Sequence, residues 1–116
     1  MTDKEITEII ATKVMGWALA SMDNETIFRK DDTDDGIVWP EDFEPLTSDT
    51  HLGITVDEFA KQIGTLHVTT GYSPKHDCIM TEAYAVLEGN EYCVGTTMNK
   101  DRRRAMCECM VRATIG

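Results

Sequence analysis

The chain predicts an α+β fold, a sheet of antiparallel strands with amphipathic helices packed on it. Three observations carry this expectation. Apolar residues recur at helical spacing in three separate stretches. Between them lie runs of alternating apolar and polar residues, bounded by turn residues. Consecutive strands joined by hairpin signals imply antiparallel pairing, without the strand–helix alternation of a doubly wound parallel sheet. The expected order is α-β-β-α-β-β-β-α, an α/β/α sandwich. The 116 residues, 41% of them apolar, are enough for one domain over 1–116 with its own core.

The first helix starts at Thr2. Thr2-Asp3-Lys4-Glu5 is a capping box, with Met1 and Ile6 placed as a hydrophobic staple. Ile6, Ile9, Ile10, Val14 and Trp17 form its apolar stripe. Gly16 stands where the helix stops, with Trp17 covering the end and expected to be mostly buried. Residues 18–25 are ambiguous and could extend the helix. Thr26–Arg29 and Ile37–Trp39 read as a hairpin turning at Asp35-Gly36. Pro40 ends it, and residues 40–53 read as an irregular acidic loop.

Thr55-Val56-Asp57-Glu58 is a second capping box, with Ile54 and Phe59 as its staple. Val56, Phe59, Ala60 and Ile63 give the second helix its stripe, and Gly64 its stop. A strand over 65–70 follows, then a turn at Gly71-Tyr72-Ser73-Pro74. Strands over 79–87 and 92–98 flank a hairpin signal at Glu88-Gly89-Asn90-Glu91. The last helix begins near Asn99 as its N-cap, with Met106, Cys109, Met110 and Ala113 on its apolar side. Leu66, Val68, Ile79, Ala83, Ala85 and Leu87 are the expected packed residues of the sheet. Ile6, Ile10, Val14, Phe59, Ile63, Met106 and Met110 should face them.

Net charge is −10, and it is uneven. Residues 1–64 hold 15 acids and 5 bases, and residues 65–116 hold 6 of each. Most of the excess lies in 23–50. This balance argues against direct nucleic-acid binding, which needs Lys and Arg to displace counterions. It suits a partner that is itself basic. No apolar run approaches the ~18 residues of a membrane span. The acidic N-terminus does not look like a signal peptide. A cytosolic setting with reduced thiols is therefore expected. Cys107-Glu108-Cys109 lacks zinc-site spacing, and on a helix the two sulfurs point roughly 200° apart. Cys78, Cys93, Cys107 and Cys109 are expected as free thiols, with no metal and no cofactor.

Asp31, Thr33, Asp35 and Gly36, with Asp42 twelfth in the loop, partly mimic a calcium loop. A Thr ligand, a short final acid and Pro40 depart from that pattern, and a polar turn explains the same residues. His51, His67 and His76 form no ligand spacing. No nucleophile elbow, phosphate loop or dinucleotide fingerprint is present, so no catalytic residue is assigned. The sharpest local signal is basic. Lys100, Arg102, Arg103 and Arg104 crowd the start of the last helix, where the macrodipole prefers acids; the misplacement costs about a few tenths of a kcal/mol unless an anion compensates. Either the acidic segment 31–44 compensates, within the molecule or across a subunit interface, or a phosphate-bearing ligand does.

Three stretches together resemble the phage ABA-sandwich-domain proteins of bacteriophages and prophages. They are Lys13-Val14-Met15-Gly16-Trp17 at the first helix end, Phe43-Glu44-Pro45-Leu46-Thr47-Ser48-Asp49, similar to F-x-P-S-T-D before a helix, and Arg104 to Ala113, similar to a closing A-I-C-x-A-A-L. The resemblance implies an α/β/α sandwich and a phage origin. It transfers no activity. The basic run 100–104 departs from it. The resulting expectation is a non-enzymatic phage accessory protein, a homo-oligomer in the cytoplasm of an infected or lysogenic host. In one version Lys100, Arg102, Arg103 and Arg104, with Trp39 or Tyr72, sequester a phosphate-bearing nucleotide signal as counter-defence. In the other, the acidic face at Asp31, Asp32, Asp34 and Asp35 inhibits a basic, nucleic-acid-binding host protein.

Overall fold

Thr2 opens the first helix by accepting the Glu5 backbone N–H at 3.2 Å. The computed structural model describes residues 1–31, 34–87 and 93–115, with residue 34 by its backbone alone. Helix α1 spans Asp3–Ile9 and widens into one π turn over Ile10–Val14. Gly16 takes φ +74°, and the Trp17 N–H donates to the Ala11 carbonyl at 2.9 Å. This is a Schellman-type end, one residue wider because of the π turn. Ile6, Ile10 and Val14 are buried as expected. Met1 is 58% exposed, so it covers little of the helix start. Trp17 packs against the core with only part of its surface exposed, in keeping with the expectation: it meets Phe43 edge-on at 4.9 Å, while Lys30 Nζ stands 5.3 Å over its ring.

Residues 18–25 do not extend the helix. They hold strand β1, Ala18–Met22, and the turn to β2, Glu25–Arg29. Asp23 and Asn24 both take positive φ, 53° and 65°, between the paired Met22 and Glu25. Such a two-residue turn matches the strand twist. β3, Ile37–Val38, pairs antiparallel with β2, as the hairpin reading expects, with a short turn at Asp34–Gly36.

Helix α2 spans Asp49–Gln62 and starts six residues before the second capping box. Ser48 is its N-cap, accepting the His51 N–H at 3.2 Å. Thr55 lies inside the helix, buried, and donates back to the His51 carbonyl. The loop before the helix is fixed by tertiary contact: the Glu44 N–H donates to His51 Nδ1 at 2.8 Å, and the imidazole stacks on Phe43. These contacts outweigh the weak helix propensity of Gly53.

The second sheet has order β4-β5-β6, all antiparallel: Gly64–Ser73, Cys78–Leu87 and Cys93–Asn99. Of the expected turn at 71–74, Gly71–Ser73 are instead the end of β4, paired from Gly71↔Met80 to Ser73↔Cys78, and the turn runs from Pro74 to Asp77. The expected hairpin signal at 88–91 lies outside the described residues. Ile79 is 58% exposed rather than packed, because this hairpin runs past the helix covering its base. Ala83 and Ala85 are fully buried.

Helix α3 spans Arg102–Ile115. Its N-cap is Asp101, not Asn99: Asp101 Oδ1 accepts from the N–H groups of Arg103 and Arg104 at 3.0 and 3.3 Å. Asn99 caps one step earlier, accepting the Asp101 N–H. α3 lies against β5 and β6 on one side and against α1, its π turn and α2 on the other. Ala105, Met106, Cys107, Cys109, Met110 and Val111 are all buried. A helix covered from two sides is apolar nearly all round, so Cys107 and Cys109 are both buried although they point apart. The molecule is thus α+β, its described residues forming two three-stranded antiparallel sheets and three α-helices. The expected single sheet and element order miss β1 and the division of the strands.

Candidate functional site

The basic cluster at the head of α3 is already engaged by acids of the chain. Arg103 pairs with Asp49 at the start of α2, Nε to Oδ1 at 2.8 Å and a second guanidinium nitrogen to Oδ2 at 3.2 Å. This fork holds the Asp49 carboxyl below its ordinary pKa, first by hydrogen bonding and then by charge. Arg104 bridges Asp3, Glu108 at 2.7 Å, and the Met1 carbonyl at 3.1 Å. Its guanidinium pKa is raised by the hydrogen bonds to Asp3 and Glu108. The compensating anions for these two arginines are therefore Asp49, Asp3 and Glu108, not segment 31–44. Lys100 and Arg102 are exposed and form no ion pair among the described residues.

The aromatic candidates lie elsewhere. Trp39 follows β3 in the first sheet, and its carbonyl accepts the Asp42 N–H. The Tyr72 hydroxyl donates to Asp77 at the tip of the β4–β5 hairpin, and this bond raises its pKa. Tyr72 and Lys100 line adjoining depressions that share Met80 and Met98. Asp31 and Asp35 are exposed beside the Asp34–Gly36 turn; Asp32 and Thr33 lie outside the described residues. Gly36 fits closely over Asp31, where an added Cβ would come within 2.3 Å of Oδ1.

A groove of about 600 Å³ lies between α1, the β1–β2 hairpin and residues 40–47. Phe28, Phe43 and Leu46, all buried, give it an apolar floor. Asp3, Glu8, Glu25, Glu41 and Glu44 line it with Lys4 as the opposing charge. Sequence reading places Glu41 and Glu44 in an acidic loop. It misses the groove because the wall at Asn24, Glu25 and Thr26 depends on β1. The paired turn residues Asp23-Asn24 were the available signal. An acidic rim above an apolar floor can receive an aliphatic stem ending in a cation, as in Lys or Arg.

The histidines do not converge. His51 is tied to Glu44 and Phe43, His67 stacks on Tyr84 at 4.9 Å, and His76 lies in the turn before β5. Among the described residues no group of three or more His, Cys, Asp or Glu comes together as a metal site. Burial pushes the Cys107 thiol up to about 12 and the Cys109 thiol up to about 11. No helix among the described residues is long and apolar enough to cross a membrane. No protein-family model, curated protein or solved structure matches this chain.

Proposed function

We propose that the chain is a non-enzymatic binding protein whose acidic face holds a basic protein partner, with the groove between α1 and the β1–β2 hairpin as the contact. The observation that carries this reading is the groove itself: the carboxylates of Glu8, Glu25, Glu41 and Glu44, beside the Asp3 already paired with Arg104, over Phe28, Phe43 and Leu46. Carboxylates around one concavity add their fields within a Debye length of about 10 Å at 0.1 M salt. They raise the encounter rate with a cationic surface, while the apolar floor supplies contact area. A nucleic-acid-binding host protein presents such a surface. A phage origin and a place in the host cytoplasm, drawn from the motif resemblance, belong to this same proposal, as does the sandwich family.

Nucleotide sequestration is a second reading, favoured by exposed Lys100 and Arg102 at the head of a 14-residue helix. It is the weaker one. Asp101 occupies the amides of Arg103 and Arg104, and both side chains would have to leave carboxylates to take a phosphate.

Calorimetric titration with a Lys- and Leu-containing peptide separates the two. The acidic-face reading expects binding that weakens with salt and is lost in a variant carrying Glu8→Gln, Glu25→Gln, Glu41→Gln and Glu44→Gln. Equal binding by parent and variant would refute it. Stabilisation by a nucleotide, lost on Arg102→Glu, would favour the second reading; binding at a hundred times Kd raises stability by about 2.7 kcal/mol.

A further inference from the structure

The outer face of the second sheet carries a cluster that the acidic-face reading does not use. Cys78 and Met80 are two apart on β5, so their side chains share one face. Cys78 Sγ lies 3.5 Å from Met80 Sδ. Met98 on β6 is paired with Glu82, which places it diagonally across from Met80 on the same face. His76, in the turn entering β5, joins these three around a depression of about 240 Å³. Thus one thiol, two thioethers and one imidazole line a single surface depression, although they come from a turn and two strands.

We propose that this cluster is a binding site for a soft monovalent metal ion, copper(I), with Cys78 as thiolate ligand and Met80, Met98 and His76 completing the set. Thiolate and thioether sulfurs select copper(I) over harder ions, and imidazole accepts it too. The spacing fits: sulfurs bound to one ion at about 2.3 Å, the zinc–thiolate length, stand roughly 4 Å apart. The observed 3.5 Å needs only a small adjustment. Lys100 lines the same depression, and its ammonium opposes a divalent cation more than a monovalent one, against the Glu82 carboxylate paired across from Met98. A monovalent ion is neutralised by one thiolate, whose proton passes to solvent as the metal–sulfur bond forms. Zinc spacing rules, which count Cys and His, do not detect a set built half from methionine. Exposure allows access: Met98 is 49% exposed, whereas the thiols of Cys107 and Cys109 are buried in the core.

The test is anaerobic titration of the reduced full chain with copper(I) buffered by bicinchoninate. It uses a Cys93→Ser background to remove the exposed thiol outside the cluster, and native mass spectrometry with silver(I) gives the stoichiometry. The expected result is one equivalent of metal with sulfur-to-copper charge-transfer absorption. Cys78→Ser should abolish it. Met80→Leu and Met98→Leu should each weaken it by at least the ~10-fold typical of losing even an outer-shell partner. Circular dichroism checks that the fold is kept. Unchanged affinity in the Met80→Leu, Met98→Leu double variant would reduce the site to a bare thiol and overturn the proposal. So would failure to compete with the chelator, or a preference for zinc(II). None of these outcomes depends on whether the acidic groove binds a basic peptide.

Discussion

Helices α2 and α3 are both 14 residues long, yet they are covered in opposite ways. α2 buries one narrow stripe, Leu52, Thr55 and Phe59, and leaves Gly53 and Ile54 facing out. α3 is the middle layer and buries six residues on two sides. The second arrangement demands close backbone approach. Gly95, at φ +66°, lets β6 come so near α3 that an added Cβ would lie 2.6 Å from the Cys109 carbonyl oxygen. A register shift between Ala83 and Ala85 marks the bulge that positions it. Thr97 closes the same contact by donating its hydroxyl to the Ala105 carbonyl. The lesson is that glycine means different things beside the two helices: in β6, facing α3, Gly95 makes a close contact, and within α2 Gly53 is an exposed weak point.

The largest expected effect separates the thiols of the middle helix from those of the sheet. With its pKa pushed up to about 12, Cys107 holds roughly a thousandth of the thiolate of an ordinary cysteine at pH 8, and only thiolate reacts. Aromatic disulfide labelling of the native protein should therefore show two fast thiols, Cys78 and Cys93, and two that react only on unfolding. Four fast thiols would mean that α3 is not covered on both sides.

Next in size is Gly95→Ala. Forcing an L side chain into this conformation costs about 1–3 kcal/mol, and overpacking against α3 costs about the same again. A loss near 3 kcal/mol is expected, read as a lower urea midpoint at unchanged slope. A neutral result would show that the β6–α3 contact is looser than described. Gly53→Ala is the counterpart on α2. Nothing lies within 4 Å of its added Cβ, so it should gain about 1 kcal/mol from helix propensity alone. Destabilisation there would show that the outer side of α2 is itself a contact.

The same contrast explains what could be read from the chain. Helix α1 was legible at its start and along its buried face because those signals are local, the Thr2 cap and the Ile6–Ile10–Val14 stripe, whereas its π turn and the strand after Gly16 were not. Strands β5 and β6 were legible from their alternation. The start of α2 was not, since Ser48 works as a cap only because His51 is held by Glu44 and Phe43, which are contacts of the folded loop. Strand β1 was hidden because Ala18-Leu19-Ala20 favours helix as much as strand, and only pairing with β2 decides it. The role of α3 as middle layer was hidden because a helix covered twice loses the one-sided pattern that reveals amphipathicity. For the site, the residues of the basic cluster were legible, but not their partners. Asp3, Asp49 and Arg103 or Arg104 are 46 or more residues apart in the chain and meet only where α1, α2 and α3 converge.

The smallest expected effect lies at that convergence, in the Arg103–Asp49 fork that ties the two contrasted helices together. Both side chains are substantially exposed, 39% and 73%, so solvent and salt weaken the pair. Its direction is nevertheless fixed. Arg103 lowers the Asp49 pKa below 3.8 in the folded state, so the unfolded chain takes up the proton first as pH falls. The stabilisation is then fully present above the unfolded value near 3.8 and is lost as pH falls through the lower folded value. Asp49→Asn should melt slightly below the parent at pH 7, and the gap should close below pH 3.8. Arg103→Met should produce a similar gap, and the double variant should add little to either. Additive single effects would mean that Asp49 acts only as a first-turn acid on the α2 macrodipole, a gap independent of pH would mean that its charge contributes nothing, and in either case the two helices are joined by their apolar contact alone.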